Sequence, residues 1–254
     1  MKDMIHALLY AACGTLFTFL MTALGAAAVF LPVLGGERRS QEAMLGFAGG
    51  VMTAASVWSL LLPAIELSSA GAMPAFLPAA LGAALGAAFL ASLDALPLRL
   101  YAQSADAERR RGALLFTAIT LHNIPEGMAV GLAFALAADG EGLAGAAALA
   151  LGIGVQNFPE GAAISLPMRR MGESRARAFL GGALSGVVEP LFGVAVVLVA
   201  SGAAALMPWL LSFAAGAMLY VVAAELAPQS ATRGGVRAYM AGFLLMMSLD
   251  VALG

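Results

Sequence analysis

Two near-copies of one hexapeptide carry the side chains in this sequence that are best suited to metal chemistry. The first copy, HNIPEG, covers residues 122–127, and the second, QNFPEG, covers residues 156–161. In each copy the first residue and the glutamate are four apart, and the asparagine and the glutamate are three apart, so a helix places all three on one face. The proline removes the hydrogen bond to the carbonyl four residues earlier, Leu121 or Val155, which favours a bend there. The pattern predicts two bent helices, each with a polar face.

A third glutamate, Glu189, precedes a proline in the segment SGVVEP at residues 185–190. It lies, like Glu126 and Glu160, near the middle of an apolar stretch. A charged group at the centre of a bilayer costs roughly 2.5–3.5 kcal/mol, so three of them without compensation would cost on the order of 8–10 kcal/mol. A bound cation would supply that compensation, and we therefore interpret these glutamates as part of an ion site.

The types of polar side chain around these glutamates indicate which ion binds. One imidazole, from His122, accompanies carboxylate and amide oxygens without a thiolate, which is typical of sites for Zn(II), Fe(II), Mn(II) or Cd(II) and unsuited to Cu(I). Three carboxylates would over-compensate the single charge of an alkali ion. They leave room for two adjacent divalent ions bridged by Glu126 and Glu160.

The composition sets these residues in a membrane protein. Of 254 residues, 61% are hydrophobic and 11% are charged, and the mean hydropathy is +0.92, whereas soluble domains have about 25% charged residues. We predict a single all-α transmembrane domain over residues 1–254. The first apolar stretch exceeds the roughly 7–15 residues of a signal-peptide core, so we expect it to be retained as a span. The single cysteine, Cys13, excludes a disulfide framework.

Apolar runs of about 20 residues or more predict eight transmembrane helices. They lie near residues 5–33, 43–66, 74–98, 113–137, 142–167, 178–200, 206–228 and 235–253. Every arginine falls in a loop that follows an odd-numbered span, or, for Arg237, within three residues of one. By the positive-inside rule these loops are cytoplasmic, so both termini are predicted to lie outside.

Short internal echoes suggest an inverted repeat. FAGGVM at residues 47–52 resembles FAAGAM at 213–218, and SLD occurs at both 92–94 and 248–250. The predicted topology makes these paired spans cross in opposite directions, as in a 3+2+3 inverted-repeat bundle with spans 4 and 5 in the middle. Chance similarity between helices rich in alanine and glycine explains the echoes equally well.

The paired hexapeptides, the SGVVEP segment and the eight-span pattern together resemble the ZIP (Zrt/Irt-like) metal transporters, in their bacterial branch. The resemblance implies import of zinc, and of iron, manganese or cadmium, into the cytoplasm, often by a homodimer in a bacterial inner membrane. It also implies a binuclear site, with one metal held by His122, Glu126, Gln156 and Glu160 and a second by Asn123, Glu126, Asn157, Glu160 and Glu189.

This sequence departs from the family pattern at two ligands and one loop. Gln156 stands where many relatives have histidine, and Asn157 stands where some have aspartate. The loop between spans 3 and 4 is rich in arginine and has no histidine. These departures leave the metal preference open.

Three alternatives to a carrier follow from the same residues. A metal-selective channel of the same fold would use the same site. An intramembrane metalloenzyme is disfavoured because the sequence has no HExxH pair and no serine or cysteine placed with a base, so we predict that the protein is not an enzyme. The last alternative is a purely structural subunit.

Acidic residues near the ends of the spans are weaker candidates for a role in transport. Near the outer entrance, cations would be attracted by Glu66, Asp139 and Glu141. Near the cytoplasmic ends, metal release would be assisted by Asp94 and Glu225, and Asp250 is expected at the membrane interface. The competing interpretation is that these residues are solvated helix ends. For transport, we expect spans 1–3 and 6–8 to rock against spans 4 and 5.

Overall fold

Helices follow from the long apolar runs, because a segment in lipid must satisfy every backbone hydrogen bond within itself. The computed structural model describes residues 2–31, 38–69, 73–100, 107–138, 140, 142–202 and 204–253, and these residues form helices without a strand. Asp139 and Glu141 lie outside these ranges, and the side chain of Asp94 lies outside the described part of α4.

The helices are α1 (Lys2–Ala26), α2 (Arg38–Ala55), α3 (Leu62–Ser69), α4 (Phe76–Leu100), α5 (Ala107–Leu136), α6 (Leu143–Arg170), α7 (Arg175–Ser185), α8 (Val188–Gly202), α9 (Met207–Val221), α10 (Ala227–Gln229) and α11 (Arg233–Leu253). A π-helical turn over Ser56–Leu61 joins α2 to α3, and a second over Val222–Leu226 joins α9 to α10. Short 3-10 turns cover Ala27–Phe30 and Ala204–Leu206. Each of the eight stretches predicted as spans therefore contains helix over most of its described residues.

Six of these segments are long and apolar enough to cross a membrane within the described residues. They are Met4–Phe30, Glu42–Ser69, Phe76–Leu93, Arg175–Ala200, Met207–Gln229 and Arg233–Leu253. Helices α5 and α6 are absent from this set. Each carries the polar residues of a hexapeptide, and these lower the mean hydropathy of the helix. The six apolar segments identify an integral membrane protein.

One predicted span is broken into two helices at Gly186. Pro190 has no N–H group to donate to the carbonyl of Gly186, so the ladder of α-helical hydrogen bonds cannot continue there. The Glu189 N–H instead donates to the Gly186 carbonyl at 3.0 Å, and α8 begins with Glu189 in its first turn. The break lies beside the glutamate that the sequence singled out.

The helices pack as two groups. In the first, α1 packs along α6 and α5 packs along α8, and α1 also contacts α5, α7 and α8. In the second, α2 packs along α11 and α4 packs along α9. We call these the α1 group (α1, α5, α6, α7 and α8) and the α4 group (α2, α3, α4, α9, α10 and α11). Both hexapeptides belong to the α1 group, and α5 and α6 also face the α4 group through α9, α2 and α11.

Candidate metal site

The two hexapeptide helices, α5 and α6, continue as α-helix through Pro125 and Pro159. Each hexapeptide ends in a glycine that lies directly against a neighbouring backbone. A Cβ atom on Gly161 would collide with the carbonyl of Thr22 in α1, and a Cβ atom on Gly127 would collide with the backbone of Glu189 in α8. These glycines therefore allow α1 and α8 to approach the two polar faces closely.

All seven predicted ligands are withdrawn from the surface of the protein. Asn123, Glu126, Gln156, Asn157 and Glu189 are 0% exposed, and His122 and Glu160 are 5% exposed. The carboxylate of Glu126 lies near enough to those of Glu160 and Glu189 for like charges on them to repel one another. The structure therefore gathers the three glutamates, from α5, α6 and α8, into one buried region.

Each of the three amide side chains in this region donates a hydrogen bond through its nitrogen, while its own oxygen has no hydrogen-bond partner. Gln156 Nε2 donates to Glu126 Oε1 at 2.8 Å, and Asn157 Nδ2 donates to Glu189 Oε2 at 2.8 Å. Asn123 Nδ2 donates to the carbonyl of Ser185 at 3.0 Å. Each acceptor is a carboxylate or a carbonyl, which has no proton to give, so the amide nitrogens must face them.

Six of the seven predicted ligands keep one buried polar atom without a hydrogen-bond partner. These atoms are His122 Nε2, Asn123 Oδ1, Glu126 Oε2, Gln156 Oε1, Asn157 Oδ1 and Glu160 Oε2. Buried polar atoms in folded proteins are almost always paired, because an unpaired one costs about 1–3 kcal/mol. A group of such atoms therefore calls for a further partner. Imidazole nitrogen together with carboxylate and amide oxygens is a ligand set for a divalent cation.

Carboxylates and imidazole alone do not form this site. Among the described residues, no three His, Cys, Asp or Glu side chains lie close enough together to hold a metal. Glu126 and Glu189 are instead bonded to Gln156 and Asn157. Any metal bound here would therefore need the amide oxygens as well.

Sequence reasoning missed Thr22 of α1. Its hydroxyl donates to Glu189 Oε1 at 3.0 Å, and the side chain is fully buried. A threonine in an apolar helix usually bonds its own backbone, and nothing in its sequence context distinguishes Thr22 from the other threonines of α1.

Comparison with known proteins shows which family the chain is similar to. Residues 100–250 match the ZIP zinc transporter family. The chain is 37% identical to the zinc transporter ZIP11 of Homo sapiens over 95% of this chain and 96% of that protein. It is 39% identical to the zinc transporter ZIPB of Bordetella bronchiseptica over 96% of this chain and 82% of that protein, and 39% identical to the zinc transporter GufA of Myxococcus xanthus over 92% and 94%.

The chain belongs to the ZIP family of zinc transporters. The sequence resemblance is thereby confirmed, and the relatives come from vertebrates as well as bacteria. Both hexapeptides and Glu189 lie within the matched residues.

Two cavities of this ZIP-family chain lie at opposite ends of the site helices. We name them inner and outer after the orientation that the arginines predict. The inner cavity, of about 70 Å³, is lined by His122 and Glu160 and extends along Ala163 and Pro167 towards the end of α6 that carries Arg169 and Arg170. Glu225 also lines it, with Oε1 3.9 Å from His122 Nε2. The buried ligands therefore border a space that extends towards the arginine-bearing end of the bundle.

The outer cavity, of about 320 Å³, lies at the other end and contains none of the seven predicted ligands. Glu66, Ser59 and Asp250 line it, and Ser59 donates to Asp250 Oδ1 at 2.6 Å. Asp250 is only 9% exposed, so its side chain faces the bundle; the expectation that it lies near the membrane interface stays a prediction.

Apolar residues separate the outer cavity from the ligands. Ala133 lines the cavity on α5, and the fully buried Val130 and Leu132 lie between it and Glu126. On α6, the fully buried Leu149 and Ile153 lie between the cavity residue Ala146 and Gln156. The outer cavity therefore stops short of the ligands along both helices.

Proposed function

We propose that this protein imports Zn²⁺ through a midplane site formed by His122, Asn123, Glu126, Gln156, Asn157, Glu160 and Glu189, with Glu126 and Glu160 shared between two adjacent ion positions. The observation that carries the proposal is the set of six unpartnered buried atoms, one from each of six predicted ligands. The names of the relatives support zinc as the cargo. The same ligand types also suit Fe(II), Mn(II) and Cd(II).

Two observations support the proposed eight-span inverted repeat. The most extensive helix pairings are α1 with α6, α5 with α8, α2 with α11 and α4 with α9. Exchanging span 1 with 6, 2 with 7, 3 with 8 and 4 with 5 converts each of these pairings into another of the same set. In addition, a π-helical turn starts nine residues after each echoed phenylalanine, at Ser56 after Phe47 and at Val222 after Phe213.

We further propose that transport moves the α1 group against the α4 group. Spans 4 and 5 pack with spans 1 and 6, which disfavours the expected rocking of spans 1–3 and 6–8 against spans 4 and 5. The inner cavity beside His122 and the buried apolar residues between the ligands and the outer cavity support an inward-facing state, in which a metal released from His122 passes Glu225. External termini, the homodimer and the bacterial inner membrane stay predictions.

Zinc uptake into proteoliposomes tests the function. We expect Glu126→Ala to reduce uptake by on the order of 100-fold, because it removes a shared ligand. Glu173→Ala is the matched control, since Glu173 pairs with Arg177 at the exposed turn between α6 and α7. Uptake by Glu126→Ala equal to that of Glu173→Ala would refute the proposal.

The dependence of uptake on zinc concentration distinguishes a carrier from a channel. A carrier is expected to show a rate of uptake that saturates as the zinc concentration rises.

A further inference from the structure

Helix α1 carries none of the seven predicted ligands, but one of its side chains contacts the site. The hydroxyl of Thr22 donates to Glu189 Oε1 at 3.0 Å, and both residues are fully buried. A threonine hydroxyl in an apolar helix can instead bond a carbonyl of its own helix. Thr22 has such an acceptor in the Thr18 carbonyl, at 3.3 Å. The shorter contact of its hydroxyl is therefore with the predicted ligand of another helix, α8.

Two donors from different helices hold the Glu189 carboxylate. Thr22 of α1 bonds its Oε1, and Asn157 Nδ2 of α6 bonds its Oε2 at 2.8 Å. Because a carboxylate oxygen has two lone pairs, one hydrogen bond on each oxygen leaves a lone pair on each for a metal. The carboxylates that bind metals are commonly hydrogen-bonded in this way, and the bonds orient them. The two bonds thus set the direction in which Glu189 offers its remaining lone pairs.

Glycines on two neighbouring helical segments bring Thr22 to this carboxylate. A Cβ atom on Gly161 of α6 would collide with the Thr22 carbonyl. A Cβ atom on Gly186 would lie 3.0 Å from the Thr22 Cβ and 3.0 Å from Glu189 Oε1. Gly186 is also the residue at which α7 and α8 are divided, so this break provides the space in which Thr22 and Glu189 meet. The packing therefore positions the hydroxyl from two sides.

The other buried threonines of α1 bond their own helix. Thr15 Oγ1 donates to the carbonyl of Ala11, one turn earlier, at 2.7 Å. Thr18 lies near the Glu189 carboxylate as well, but its Oγ1 donates to the Thr15 carbonyl at 3.0 Å. Thr15 is as fully buried as Thr22 and also packs against α8, where its methyl group lies beside Gly193. It therefore offers a matched control for a substitution at position 22.

We propose that Thr22 is a positioning residue for the second of the two ion positions: its hydroxyl holds the Glu189 carboxylate in the direction in which Glu189 binds that ion. This inference rests on the proposed function, in which Glu189 serves the second position while His122 and Gln156 serve the first. Helix α1 would then act on one ion position and leave the other unchanged. A threonine needed only for packing would not distinguish between the two.

Equilibrium titration of the purified full-length protein in detergent with Cd²⁺ tests this selectivity. Wild-type protein is expected to bind two ions. Thr22→Val keeps the shape of the side chain but lacks the hydroxyl, so we expect the second ion to bind about 10- to 100-fold more weakly and the first to bind as in wild type. Thr22→Ser returns the hydroxyl and is expected to restore most of the lost affinity. Thr15→Val is expected to bind both ions as wild type.

Ligand variants assign the two binding steps to the two positions. His122→Ala removes a ligand of the first position only, and Asn123→Ala removes a ligand of the second position only. Each is expected to weaken its own step more than the other step. Thermal unfolding of every variant verifies that it folds. Should Thr22→Val not fold, Thr22→Ala compared with Thr22→Ser makes the same test without a second methyl group beside Gly186.

The outcomes separate this inference from the proposed function. Thr22→Val that binds both ions as wild type, or that loses affinity for both by the same factor, would overturn the inference alone. Affinity for the second ion that stays low in Thr22→Ser would also overturn it. Wild-type protein that binds no Cd²⁺, or only one ion, would overturn the proposed pair of ion positions and the inference with it.

Discussion

At the scale of single residues, amide hydrogen bonds partly compensate the buried glutamates of the site. Glu126 and Glu189 each receive an amide N–H from the second hexapeptide, from Gln156 and Asn157. These bonds partly offset the cost of burying the two carboxylates. They leave a free oxygen on each amide, so the same amide groups can offer an oxygen to a cation.

Competition between protons and metal follows from these ligands. Glu126, Glu160 and His122 bind a divalent cation only in their unprotonated forms, so metal binding releases protons and weakens as the pH falls. We expect the apparent affinity for Zn²⁺ to decrease between about pH 8 and pH 6. Isothermal titration calorimetry in buffers of different ionisation enthalpy would measure both the affinity and the released protons. An affinity that does not vary with pH, without proton release, would contradict the proposed ligands.

The spacing of residues in the sequence was sufficient to predict most of these ligands. Six of the seven predicted residues lie on two helices at i, i+1 and i+4 positions, where local geometry alone decides that they share a face. Thr22 and the inward direction of Asp250 escaped prediction because their partners, Glu189 and Ser59, are more than a hundred residues away in sequence. Only tertiary packing brings such groups together.

At the scale of helices, glycines set the distance between the polar faces and their neighbours. Gly161 lies against the carbonyl of Thr22, so α1 and α6 touch through backbone atoms. Small residues allow this kind of close helix approach in membranes. The position of Thr22 beside the site therefore depends on the last residue of the second hexapeptide.

A methyl group at position 161 tests this dependence. We expect Gly161→Ala to destabilise the protein by about 1–3 kcal/mol, because α1 has to move away from α6. Gly234→Ala is the control, since a Cβ atom there meets nothing within 4 Å. Thermal unfolding in detergent compares the two variants. Equal midpoints for both variants would show that the helices can separate without cost.

Some features of the helices could be predicted from sequence and others could not. The span predicted over 178–200 is divided at Gly186, where Pro190 has no N–H to donate to the Gly186 carbonyl. The π-helical turns at Ser56–Leu61 and Val222–Leu226 contain no proline or glycine that would indicate them. The fourth span was predicted to start near residue 113, but α5 already begins at Ala107. Glu108 and the arginines after it are charged but are good helix formers, so the helix extends beyond the apolar run.

At the scale of the whole molecule, the two cavities differ in whether they reach the predicted ligands. The inner cavity borders His122 and Glu160, and the outer cavity is separated from them by buried apolar residues. The ends of α6 and α7 that carry arginines lie at the inner-cavity end of the site helices, and the positive-inside rule predicts that this end faces the cytoplasm. An inward-facing importer would have this arrangement after it releases its cargo.

Cysteine labelling tests that direction. In a Cys13→Ala background, we expect Ala163→Cys to react with a membrane-impermeant thiol reagent added at the cytoplasmic face, because Ala163 lines the inner cavity. Ala162→Cys is the control on the same helix; it is buried at 4% exposure and does not line that cavity. Labelling of Ala163→Cys only from the outer face would reverse the proposed orientation.

The most direct measurement is anomalous X-ray scattering at the zinc edge from crystals of the wild-type protein soaked in Zn²⁺. We predict a peak between α5 and α6, within about 2.2 Å of a Glu126 and a Glu160 oxygen. Crystals of Glu126→Ala should lose or weaken that peak. Zinc peaks confined to the surface, with none between these two helices, would contradict a metal site built from the paired hexapeptides.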